Sequence, residues 1–203
     1  MSKQKVGGLL LALSALLLSG CSNPSDAASY KSGRIPVKQV QDSVSTILNE
    51  RIKFNTTPQD GLSGEALTRN QLGFKIFSVL LTHVAKERNI VALPGEISAR
   101  RADIVKNVGS EDQLSIALVN AGIASTDLDQ YIALTVLQDK LKTVIAPGVT
   151  DDNQILQTLQ KILAETAIQE ELKVNPRYGF WNVNTSKVEA VDATGGALST
   201  PTK

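Results

Sequence analysis

Between Glu65 and Arg88 nine large apolar side chains (Leu67, Leu72, Phe74, Ile76, Phe77, Val79, Leu80, Leu81 and Val84) fall on nearly every side of a helix. A helix that is apolar all round must be covered all round. The run is short for a membrane span and is interrupted by Lys75 and His83. It therefore predicts a central core helix with the rest of the chain wrapped about it.

The flanking sequence supplies the wrapping. Pro36 is suited to the first helical position, and Val37, Val40, Val44, Ile47 and Leu48 then recur at three and four residues as far as about Phe54. Thr56-Thr57-Pro58 and Gly61 break the chain before the central helix. A third helix is predicted over 94–107, opened by Pro94 and closed by Gly109. Ser110-x-x-Gln113 and Thr126-x-x-Asp129 have capping-box spacing and predict two further starts, with Gly122 between them. The fifth helix carries Tyr131, Leu134, Leu137, Leu141 and Val144 on one seam and ends at Ala146-Pro147-Gly148. Thr150 with Asp151 and Asp152 starts a sixth, striped by Ile155, Leu159, Ile162 and Leu163 and predicted to end near Lys173. The expected fold class is mostly α, with about six helices.

The pattern changes at Lys173. Residues 173–183 hold Tyr178, Phe180 and Trp181, three of the chain's eight aromatics, with Asn-Pro and Tyr-Gly turns and an extended Phe-Trp-Asn-Val. One strand cannot satisfy its own backbone. The other candidate strand, Ala28 to Ile35, lies just before the first helix, so a small two-stranded sheet pairing the domain's two ends is expected.

The beginning of the chain reads as an address. Lys3 and Lys5 precede an uncharged, Leu-rich run from Val6 to Leu18, and Leu18-Ser19-Gly20-Cys21 follows. A 13-residue apolar stretch is too short to cross a bilayer, and the layout matches a secretory signal peptide over 1–20. Its end has the spacing of a bacterial lipobox, which makes Cys21 the lipidated residue and implies stable two-chain anchoring in the cell membrane, on its extracytoplasmic face. Residues 21–32 read as a flexible tether, 33–183 as the helical domain and 184–203 as a disordered tail.

Composition narrows the chemistry. The 203 residues hold 21 basic and 20 acidic side chains, one Cys and one His. Without Lys3 and Lys5 the processed chain has 19 basic against 20 acidic residues. That balance argues against nucleic acid as a partner. One Cys excludes an internal disulfide and any CxxC site, and one His leaves little room for His-based catalysis or a His-rich metal centre. Neither a cofactor nor a metal is expected, and the Walker, dinucleotide and G-x-S-x-G motifs are missing from the sequence.

Three stretches carry a family likeness. Gly33-Arg34-Ile35-Pro36-Val37-Lys38-Gln39-Val40 leads into the first helix; Leu81 to Ile97 follows the central one; Asp112 to Leu141 is a short helix, Gly122-Ile123-Ala124-Ser125, and a long helix. In order and spacing they resemble the N-terminal helical domain of the SurA and PrsA class of bacterial chaperone-foldases, and the Val-Asn-Pro-Arg-Tyr-Gly end resembles the closing strand of such proteins. The resemblance implies a helical cradle that binds unfolded or secreted polypeptides. Larger members carry a parvulin prolyl-isomerase domain after the fifth helix, where this chain has only Ala146 to Thr150.

Several side chains are candidates for sites. Tyr131, Tyr178, Phe180 and Trp181 could contact a client chain, the last three also serving to fasten the terminal sheet. His83 as a base would need a nucleophile and an acid in reach; helix spacing offers Val79, Leu80 and Glu87, and a structural role is expected. Arg100-Arg101 reads as solvated helix surface, and Asp151-Asp152 as a response to the helix dipole rather than a cation site. Asn55-Thr56-Thr57 fits a glycosylation sequon. The expected function is that of a membrane-anchored, non-catalytic chaperone-like lipoprotein. The alternatives are an adaptor docking one envelope partner, or a residual isomerase.

Overall fold

The computed structural model describes residues 23–58 and 62–191. The predicted signal peptide, Cys21 and the last part of the predicted tail (192–203) lie outside the described residues. In chain order the elements are β1 (Asp26–Tyr30), β2 (Gly33–Pro36), α1 (Val37–Phe54), α2 (Gly64–Glu87), α3 (Pro94–Val108), α4 (Glu111–Asn120), a 3-10 turn (Ser125–Asp127), α5 (Leu128–Ile145), α6 (Asp152–Gln169), β3 (Lys173–Val174), β4 (Phe180–Asn182) and β5 (Lys187–Glu189). The fold is mostly α, as the periodicity predicts.

Helix α2 is the axis of the core. Leu72, Ile76, Leu80, Leu81 and Val84 have no exposed surface, and α1, α5, α6, β1 and β5 all pack against it. Helices α1 and α6 each bury one stripe, Val40, Ser43, Ile47 and Arg51 on the first and Ile155, Leu159, Leu163 and Ala167 on the second. Val144, placed on the core seam by its spacing, is instead half exposed.

Helix α3 has no fully buried residue. Partly buried Ile97, Ile104 and Val105 rest on a second cluster of Leu114, Leu118, Leu128 and Ile132. Ion pairs add to that contact: Arg100 to Asp139 at 2.6 Å, Arg101 to Glu111 at 3.1 Å and Lys140 to Glu96 at 2.6 Å. The two arginines read as solvated helix surface also tie α3 to α4 and α5. Exposed pairs of this kind are worth up to about 1 kcal/mol each, so they set register more than stability.

The ends of the helices follow local chemistry. Ser110 Oγ accepts from Gln113 N at 3.2 Å, as its box predicts, and Asp151 Oδ1 accepts from Asn153 N at 2.8 Å. The Thr126 box does not form, because the chain makes a 3-10 turn there and turns Asp127 inward. Helices α1, α2, α4 and α6 close with Schellman-type bonds, the left-handed position being filled by Asn55, Asn89, Gly122 and Glu171. Glu171 explains why α6 stops short of Lys173: Leu172 N donates to Ala167 O at 2.9 Å, which turns the chain out of the helix.

The domain's ends do meet, but by different partners from those expected. Ala28 to Ile35 is a hairpin rather than one strand, with Tyr30 opposite Gly33, and β1 pairs on its other side with β3 (Ala28 opposite Val174), in the order β2-β1-β3. The aromatic strand β4 pairs with β5 instead. Two expectations are therefore corrected. The stretch read as tether contains β1, whose Ala27 and Ala28 are buried; small side chains give no hydrophobic signal, yet their size lets the strand lie close against the helices. The stretch read as tail contains β5, held by buried Val188 on α2, where the glycine at position 73 leaves room for the strand.

Candidate functional site

The packing of β5 onto α2 leaves an open groove of about 640 Å³ beside it. Phe74 and Phe77 from α2, Gly122 and Ala124 from the α4–α5 connection, Tyr131 from α5 and Val188 from β5 form its apolar walls. These positions converge because Gly122, at φ +67°, turns the chain back at the end of α4, and the 3-10 turn then sets α5 across α2.

The floor is polar and internally satisfied. Gln71, 2% exposed, donates from Nε2 to Gly122 O at 2.8 Å, which locks the connection onto α2. Lys75 Nζ lies 2.6 Å from Asp127 Oδ1, and Ser43 Oγ donates to Asp127 Oδ2 at 2.7 Å. This buried triad joins α2, the 3-10 turn and α1. Sequence reading registers Lys75 only as an interruption, since its partner is 52 residues away.

The four aromatic candidates fall in three places. Tyr131 lines the groove. Phe180 and Trp181 line a smaller recess of about 280 Å³ with Ile168, Leu172 and Val174. Tyr178 packs against the main core, with the Arg177 guanidinium 5.3 Å from its ring centre. They do not form one surface.

His83 lies between two carboxylates, one of them Glu87 on its own helix as the spacing predicts. Its Nε2 is 3.2 Å from Glu87 and its Nδ1 3.5 Å from Glu170. Ser32 Oγ–H and N–H donate to Glu170 Oε2 at 2.8 and 3.1 Å. These bonds, with His83 and Lys31 nearby, hold the Glu170 carboxyl below the ordinary glutamate range. A depressed carboxyl stabilises the fold above the unfolded-state value of about 4.3, and the contribution is lost as pH falls through the folded value. Urea midpoints measured at pH 7 and pH 3.5 should accordingly differ less in Glu170→Gln than in the wild type. An unchanged difference would show that the β1–β2 turn is held without this charge.

No family profile, curated protein or solved structure matches the chain. Asp151 is spent on capping α6, and among the described residues no group of three His, Cys, Asp or Glu side chains could hold a metal. Asn55 occupies the left-handed end of α1. Among the described residues no helix is long and apolar enough to cross a membrane. Cys21 lies outside them. A surface that the sequence does not announce lies at the α2–α3 connection, where Val91, Leu93 and Val144 are each more than half exposed around a shallow recess.

Proposed function

We propose that the chain is a membrane-tethered, non-catalytic chaperone-like lipoprotein that holds extended segments of unfolded or secreted polypeptides in the groove. The observation that carries this reading is the position of β5. Among the described residues it pairs only with β4, and Ser186 to Val188 run along a groove walled by Phe74, Phe77 and Tyr131. An extended peptide can add to such a strand by main-chain hydrogen bonds while its alternate side chains enter apolar space, a mode that tolerates many sequences. The lipobox spacing at Cys21 and the likeness to the SurA and PrsA class support the cell-membrane and chaperone parts of the reading.

The test uses the chain from Ser22 onward, which contains every described element. It should slow aggregation of denatured clients at near-stoichiometric amounts. Ala66→Arg with Tyr131→Ala, which charges and opens the groove without touching the central core, should raise the amount needed at least about tenfold, the scale of one or two lost anchors. Loss of protection across several clients, or protection unchanged by the pair, would count against the groove. Proline-peptide isomerisation should stay at background. Incorporation of an alkyne fatty acid should occur in the full chain and vanish in Cys21→Ser.

The patch of Val91, Leu93 and Val144 favours a second reading, an adaptor that docks one envelope protein. Capture of a single stoichiometric partner, lost in Leu93→Asp, would support it over the first.

A further inference from the structure

The anchor and the fold are nearly continuous. Asp26 N donates to Asn23 O at 2.8 Å and Ser25 N to Asn23 Oδ1 at 3.2 Å. Val37 N donates to Ser25 O at 2.8 Å, and Arg177 donates to Pro24 O. From Asn23 onward the chain is thus fastened to the domain. Cys21 precedes Asn23 by two peptide units, which span about 7 Å at most. A lipid on Cys21 places the end of the domain that carries Pro24 at the headgroups.

That end is lined for them. Pro24, Arg34, Pro36, Lys38, Gln41 and Arg177 surround an open recess of about 460 Å³. The side chains of Arg34 and Lys38 are 66% and 81% exposed. Two carboxylates accompany the three cations. Asp26 is largely buried, 3.8 Å from Arg34, while Asp42 is exposed, 2.7 Å from Lys38. Outward-facing charge is therefore predominantly positive, on a processed chain whose total is slightly negative.

We infer that Arg34, Lys38 and Arg177 form a docking surface for anionic phospholipid headgroups, which seats the domain on the bilayer by the end from which its anchor emerges. The inference rests on the membrane-tethered reading above and adds an orientation to it. Arg51, near the far end of α1, donates to Leu62 O at 2.8 Å, and Leu62 lines the groove. The fourteen helical steps from Val37 to Arg51 rise about 21 Å. The groove's Leu62 end consequently stands about that far along α1 from the seated face, and an upright α1 holds it clear of the headgroups, where an emerging chain can reach it.

The experiment uses the unlipidated chain from Ser22 onward with phosphatidylcholine vesicles, with and without about one-third phosphatidylglycerol. Binding is expected only with the anionic lipid and should fall with added salt. Each cation near such a surface contributes about fivefold, so Arg34→Gln, Lys38→Gln and Arg177→Gln together should weaken binding on the order of a hundredfold. Lys86→Gln, Lys106→Gln and Lys161→Gln, on other faces, should weaken it less than the first set. Equal binding to both vesicles, or equal losses in the two sets, would overturn the proposal. A fluorophore on Gln41→Cys, in a chain that otherwise lacks Cys, gives a readout without altering Arg34, Lys38 or Arg177. Headgroup quenchers should reach it more than a fluorophore on Lys53→Cys, and equal quenching would overturn the orientation. Failure of the anchor itself is seen separately, as absence of fatty-acid label at Cys21.

Discussion

Lys75→Met should lower stability by about 3–5 kcal/mol, read as a shift of the urea midpoint, because it strands a buried carboxylate. Lys75 is 4% exposed at its side chain and Asp127 12%. Each is dehydrated by the packing of α1 and the 3-10 turn on α2, and each is the other's countercharge. Ser43 supplies the second bond to Asp127, a hydroxyl that cannot neutralise it. Asp127→Asn should cost a similar amount for the opposite reason, leaving an ammonium without its anion. The double variant Lys75→Met, Asp127→Asn removes both charges and should cost clearly less than the sum of the two, since neither orphan remains. The loss should also be felt in the groove. Asp127 lies on its floor, and the 3-10 turn carries Ala124 into its wall, so amide exchange from Gly122 to Asp127 should accelerate in the single variants. A change under about 1 kcal/mol for Lys75→Met would mean that water reaches the pair.

The same triad marks the limit of what the sequence discloses. Helices are local, so the recurrence of Val37, Val40, Val44 and Ile47, and the run from Leu67 to Val84, identify α1 and α2 to within a residue or two. Capping is local as well, and Ser110 and Asp151 behave as their spacing predicts. What depends on contacts across the chain is not legible. Thr126 and Asp129 have the spacing of a helix start, and the use of Asp127 between them as a buried anion is decided by Lys75 on another helix. Ala27, before the candidate strand, looks like linker because it is small, and smallness is what the site beneath β1 requires. Tyr131 is found in the groove while Phe180 and Trp181 are not, because their strand β4 pairs with β5, a strand that Asn184, Thr185 and Ser186 disguise as tail. Val188 was the available signal there. It is a lone β-branched residue between polar neighbours, and it becomes informative only once Gly73 on α2 is known to leave space for it.

That hairpin rests on one glycine, and Gly179→Ala should detach it. Gly179 has φ +112°, a conformation that costs an L-residue about 1–3 kcal/mol. A β-carbon there would also sit 1.8 Å from Glu189 O, a backbone atom that cannot yield without moving the strand. The hairpin has little to resist with. Three residue pairs hold it, together with Asn182 Nδ2 to Glu189 Oε2 at 2.9 Å and Thr185 Oγ1 to Glu189 Oε1 at 2.7 Å. Those two donors keep the Glu189 carboxyl below its ordinary range, but their bonds are at most part-buried and cannot offset a steric clash. Displacement of β5 removes Val188 from α2 and opens one wall of the groove. The substitution should therefore cost at least about 2 kcal/mol, and it should raise amide exchange in β4 and β5 ahead of the helices. Trp181, partly buried between β5 and the core, reports the change as a red-shifted emission, since exposure to water relaxes its excited state. The helices, whose core takes Val188 from the hairpin and is otherwise built from α1, α2, α5, α6, β1 and β2, should keep their circular dichroism at temperatures below the midpoint. Client protection should fall together with the tryptophan shift if β5 is the strand that clients extend. Protection that survives a displaced hairpin would move the binding surface away from β5, to the exposed apolar face at Val91 and Leu93.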